Sequence, residues 1–111
     1  MKPFATICAA CIVAAGLGIL SAQTTAEAEK LLESARHKEV VDGDLKAAIE
    51  QYRQIAAKFA KQPEIAARAL FQLGQCQEKL GQADAKRSYE RIVREFAGQR
   101  DIAARAQARL A

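Results

Sequence analysis

The sequence has no Trp, a single His and a single Met, and only two Pro, at positions 3 and 63. Aromatic residues make up 5% of it, too few for the large interleaved side chains of a β-sandwich core. No stretch alternates β-branched and polar residues with a period of two, so strands are not expected. The formal charge is +4, and basic and acidic residues are interspersed along the chain. This is the pattern of a solvated helical surface with i, i+4 pairs, not the basic stripe with aromatics that nucleic-acid binding calls for. A glycine-rich phosphate loop is missing. His37 is the sole histidine and belongs to no converging set of catalytic groups, and Asp42 and Asp44 lack the spacing of a calcium loop. The expectation is a non-enzyme with no cofactor, no metal and no small-molecule substrate.

What is present begins with an address. One positive charge at Lys2 precedes an uncharged run from Phe4 to Leu20, closed by the small residues Ser21 and Ala22. That layout predicts a secretory signal peptide over 1–22 with cleavage near Ala22, and hence a periplasmic or secreted protein. The alternative is an uncleaved inner-membrane anchor, because the run is nearly long enough to span a bilayer. Cys8 and Cys11 have C-x₂-C spacing, but inside this apolar run they read as passengers; lipidation is disfavoured because the residue three before Cys11 is Cys8 and the apolar run continues past it. Cys76 then remains as a small core residue. Loss of Lys2 from the seventeen basic residues leaves sixteen against thirteen acidic ones, a net +3.

The rest, 23–111, reads as one all-α domain. Helix 1 is expected over 25–40 behind a Thr24–Glu27 capping box, burying Ala28, Leu31, Leu32 and Ala35. Gly43 ends it and Asp44 caps helix 2, over 44–60, with Leu45, Ala48, Ile49, Tyr52, Ile55, Ala56 and Phe59 on one face. Helix 3 starts at Pro63 and runs to Leu80, stopped by Gly81. Helix 4 covers 82–97 with Ala85, Tyr89, Ile92, Val93 and Phe96 inside, stopped by Gly98. Asp101 caps helix 5, which buries Ile102, Ala103, Ala106 and Leu110. A shift of 37 residues superposes Tyr52 on Tyr89, Ile55 on Ile92, Phe59 on Phe96, Ile65 on Ile102 and Ala66–Ala69 on Ala103–Ala106. A period in this range means stacked helical hairpins.

Leu70, Leu73 and Gly74 sit where the pattern W-x₂-L-G-x₂-Y of the tetratricopeptide repeat puts its large residue, its Leu and its Gly. Gly74 there lets a crossing helix approach the backbone. Ala48 with Tyr52, and Ala85 with Tyr89, repeat the pattern's small residue and aromatic of the second helix. The chain thus resembles the tetratricopeptide repeat family over most of 25–110. More narrowly it looks like the periplasmic bacterial repeats of the Tol-Pal-associated and outer-membrane-assembly type. It departs from the pattern where Ala60 and Ala97 replace the closing Pro. Arg36 stands where the first Gly belongs, and the step from Gly81 to Ala85 is one residue shorter than that from Gly43 to Ala48.

The resemblance implies a short right-handed superhelix of about two repeats plus a C-terminal helix. Its concave face would be lined by Lys30, Glu33 and His37 of helix 1, Arg68, Phe71, Gln75 and Glu78 of helix 3, and Arg105 of helix 5. The plain reading of the same side chains is an ordinary solvated surface. The function implied is an exported scaffold that binds a peptide or protein partner of the cell envelope. The alternative is the interaction module of a larger exported protein with an enzyme or β-propeller domain downstream. Self-association through helix 5 is compatible with either, and contact with the membrane is expected only if the signal segment stays uncleaved.

Overall fold

The structure, a computed structural model, describes residues 24–111. The expected signal peptide, with Cys8 and Cys11, lies outside them. Five helices are present among the described residues: α1, described over 24–40, α2 (Leu45–Lys58), α3 (Pro63–Lys79), α4 (Asp84–Glu95) and α5 (Arg100–Leu110). No strand occurs among them. Successive helices pack on one another from α2 to α5, and α3 also touches α5.

Cross-helix pairs give the directions. Lys58 at the end of α2 reaches Glu27 at the start of α1, so these two are antiparallel. Arg68 and Lys79, early and late in α3, reach Glu29 and Glu39, early and late in α1. Helices α1 and α3 are therefore parallel, and the Arg109–Glu78 pair joins the C-terminal halves of α5 and α3 in the same sense. The result is a stack of antiparallel hairpins, α1–α2 then α3–α4, with α5 laid on the second.

The core follows the helical stripes. Tyr52, Ile55 and Phe59 are buried, as are Tyr89, Ile92 and Phe96 one repeat on. The joint after each hairpin repeats bond for bond at the 37-residue offset. Phe59 N–H donates to Ile55 O and Phe96 N–H to Ile92 O, both at 2.9 Å. Gln62 N–H returns to Phe59 O at 2.9 Å and Gln99 N–H to Phe96 O at 3.0 Å. Ala66 and Ala103 then open the next helix on the carbonyls of Gln62 and Gln99.

Four expected boundaries are corrected, three of them at these joints. Helix α2 stops at Lys58 and α4 at Glu95, because the Phe side chains turn into the core there; Gly98 is not the stop. Helix α5 is capped by the backbone at Gln99, with Asp101 inside its first turn. Helix α4 starts at Asp84 rather than 82. The residue missing between Gly81 and Ala85 removes the counterpart of Asp44: the N-cap is Ala83, without a side-chain bond, and Lys86 N–H reaches only Ala83 O, at 3.2 Å.

Gly43 and Gly81 have φ of 66° and 68°, the left-handed conformation that ends a helix without a Cβ penalty. Asp44 then caps α2, its Oδ1 accepting from Ala47 N–H at 3.0 Å. Asp44→Ala is expected to lower stability by about 1 kcal/mol, read as a shift in the urea midpoint; Ala83→Gly at the capless start of α4 removes no cap bond and should shift it far less. The other end of the same hairpin departs from expectation in that Thr24 is already helical, and Glu27 accepts from Lys58 Nζ at 2.6 Å. Leu31 leaves the buried stripe, at 36% exposure, because no hairpin among the described residues lies on that side of α1.

Candidate functional site

The parallel helices α1, α3 and α5 enclose a cleft of about 390 Å³. Its apolar wall is Leu32, Phe71 and Ile102, one from each helix. Phe71 is almost wholly buried because its ring packs on Tyr89, centroids 5.7 Å apart and planes tilted by 56°. It serves as a wall of the cleft and as core at once, not as a free aromatic awaiting a ligand.

Charged groups surround that wall. Arg68 and Glu29 make a two-bond fork, Nη1 to Oε1 at 2.6 Å and Nη2 to Oε2 at 3.3 Å. The Arg68 hydrogen bond holds the Glu29 carboxyl below its ordinary range, and Glu29 in turn raises Arg68. A depressed carboxylate stabilises the fold above its unfolded pKa, and that contribution is lost as pH falls through the folded value. Arg68 was expected to face a partner; it is occupied from within. Glu33, Arg36 and Arg105 also line the cleft and are exposed, and none of them makes an ion pair with a described residue.

At its deep end the cleft reaches Tyr52 and Glu39. The Tyr52 hydroxyl donates to Glu39 Oε1 at 2.9 Å, and Lys79 Nζ donates to Oε2 at 3.2 Å, so this buried carboxylate is partnered on both oxygens. Burial, reinforced by Glu39, raises the Tyr52 phenol above its usual value. Burial, with Glu39 adding to it, likewise pushes the Cys76 thiol up to about 12. Cys76 is fully buried, as its place on the α3 stripe implied, and its thiol is held protonated and unreactive.

The eight residues expected on the concave face therefore divide. Glu33, Arg68, Phe71 and Arg105 meet in the cleft. Lys30 and His37 lie on a shallower neighbouring face of α1, shared with Glu33, where His37 Nδ1 is 3.7 Å from Asp42 Oδ2. Gln75 and Glu78 are not in the cleft. Glu78 is taken up by the guanidinium of Arg109, whose Nε donates to Oε1 at 3.0 Å while Nη2 pairs with Oε2. The buried Tyr89 hydroxyl lies beside this pair without a well-directed hydrogen bond.

Sequence reasoning missed Glu29, Arg36 and Glu39. Glu29 and Arg36 fall one turn before and one turn after Leu32 and could have been read from helical spacing. Glu39 had a fainter signal. Aligning Gly43 with Gly81, an offset of 38, puts Glu39 on Gln77, the other buried polar residue of a first helix. Gln77 plays the matching part in the second hairpin, its Oε1 accepting from Ser88 Oγ at 2.7 Å.

Among the described residues no cluster of His, Cys, Asp or Glu could hold a metal ion, and no helix is long and apolar enough to cross a membrane. Parallel first helices flanking a cleft, backed by antiparallel second helices, define an α-helical repeat scaffold. The family model of the tetratricopeptide repeat matches residues 68–98, from the second turn of α3 through the end of α4. The second hairpin is thus similar to a tetratricopeptide repeat, a kind of module that suggests a protein–protein interaction scaffold and is typically without catalysis. No curated protein and no solved structure matches the chain.

Proposed function

We propose that the chain is an exported interaction scaffold that holds a segment of a cell-envelope protein in the cleft between α1, α3 and α5. The observation that carries this reading is the cleft itself: a three-helix apolar wall with two exposed guanidiniums, Arg36 and Arg105, against one exposed carboxylate, Glu33, none of them ion-paired with a described residue. Unpaired cations beside an apolar surface suit a partner that is both acidic and apolar. Export rests on the uncharged run 4–20 behind Lys2 and on the narrower likeness to periplasmic repeats.

The two halves of the reading are tested in one preparation. Expression in a bacterial host should give a periplasmic product whose mass corresponds to loss of 1–22. An intact Met1 in the cytoplasmic fraction would remove the export half. The mature protein, immobilised, should retain envelope proteins that Gln72→Trp, which fills the cleft from a half-exposed position, fails to retain. Equal retention by both would move the binding surface elsewhere.

A further inference from the structure

The carboxylate that Arg68 holds comes from the chain itself, and the repeat shows that the next arginine in the row has no such donor. The 37-residue offset that carries Phe59 onto Phe96 also carries Arg68 onto Arg105. Glu29 lies 39 positions before Arg68. The residue 39 positions before Arg105 is Ala66, which is buried and has no carboxylate to offer. Asp101, one turn before Arg105 on the same helix, does not pair with it either. The two guanidiniums line one cleft, one filled and one open.

We propose that Arg105 is the receptor for a glutamate side chain of a bound peptide segment, held in the fork that Glu29 shows on Arg68, and that Glu29 is an internal occupant closing the equivalent receptor. This rests on the cleft being the binding surface. The Glu29–Arg68 pair supplies the geometry: a glutamate carboxylate meets both terminal nitrogens, the arrangement in which a guanidinium discriminates best. The occupant is a peptide rather than a small anion because Leu32, Phe71 and Ile102 continue the surface across three helices, about two helix spacings of 8–10 Å each. Residues flanking the glutamate are therefore apolar, and towards α1 the exposed Arg36 and Glu33 offset each other in charge. Removing Glu29 converts a one-carboxylate site into a two-carboxylate site.

The test uses labelled heptapeptides of alanine and leucine, acetylated and amidated, read by fluorescence anisotropy on the mature protein. One carries a single glutamate, one has it changed to glutamine, and one carries two glutamates a helical turn apart. A fourth has glutamine and a free C-terminus. The single-glutamate peptide should bind, and its change to glutamine, or Arg105→Gln, should each weaken binding about tenfold, with no further loss when combined. Glu29→Gln should tighten the two-glutamate peptide severalfold and the single-glutamate peptide much less, since that peptide can use only one of the two receptors at a time. Equal binding of glutamate and glutamine peptides, indifference to Arg105→Gln, or binding of the free-terminus peptide alone would overturn the proposal. If Gln72→Trp still abolishes binding in those cases, the cleft remains the binding surface and only the receptor assignment falls. If Gln72→Trp has no effect, or no peptide binds, the cleft reading falls with it.

Discussion

Tyr52→Ala is expected to destabilise the protein by about 3–5 kcal/mol, the cost of truncating a fully buried large aromatic. Two losses combine. The ring leaves a void where α1, α2 and α3 meet, and the hydroxyl is one of the two donors to the buried carboxylate of Glu39. Tyr52→Phe separates them. It keeps the ring and leaves Glu39 Oε1 without its donor, for about 1–3 kcal/mol. A small domain has about 5–15 kcal/mol in total, so the alanine variant should be largely unfolded at 37 °C while the phenylalanine variant melts early but cooperatively. Urea and thermal transitions unchanged in both would mean that Tyr52 is not in the core. Equal losses in both would assign the whole effect to the hydroxyl.

Gly74→Val is the second large effect, about 2–3 kcal/mol of overpacking. A Cβ placed on Gly74 would stand 2.7 Å from Tyr89 Cε1 and 2.8 Å from Cζ. The ring cannot swing away, since Phe71 packs on it. Gly74 has ordinary helical backbone, so the penalty is steric. Gly43→Ala makes the contrast: nothing lies within 4 Å of its Cβ, but φ of 66° costs an L-residue about 1–2 kcal/mol. The decisive comparison places Gly74→Ala in a Tyr89→Leu background. With the ring gone, the clash should vanish and the helix propensity of alanine should return up to about 1 kcal/mol. Strict additivity of the two substitutions would show that α4 does not approach α3 through this glycine.

These sites mark how far the sequence could be read. Helical spacing is a local property, so the faces of α2 and α4, the left-handed Gly43 and Gly81, the Asp44 cap and the close approach at Gly74 were all legible. The boundaries at Phe59 and Phe96 were not, because a helix that ends by turning an aromatic into the core leaves no cap residue or glycine to read. Leu31 was misplaced because its spacing is apolar whether or not a neighbour arrives to cover it. The charged part of the cleft was hidden for a different reason. Glu29 and Arg68 meet across 39 positions, and the Glu39 carboxylate joins Tyr52 and Lys79 from three helices. Such pairs have no short-range spacing, and a glutamate bound for the interior looks the same in sequence as one bound for water. Arg68 was placed in the cleft by repeat register alone, and register does not show that a neighbour has already claimed it.

The joint that repeats bond for bond at Phe59–Ala66 and Phe96–Ala103 makes the chain divisible. Each joint is held by the same backbone bonds and one inward phenylalanine, and only the first adds a Lys58 ammonium over the Phe59 ring. A duplicated 60–96 unit spliced after Phe96 would bring matching ends at both of its seams, so the protein could be lengthened by whole hairpins without redesigning either neighbour. Its cleft would grow with it, gaining one more copy of Arg68 for each hairpin added, and none of these copies would have Glu29 beside it. Reach and charge along the binding surface would then rise together, set by how many times one short stretch of chain is copied.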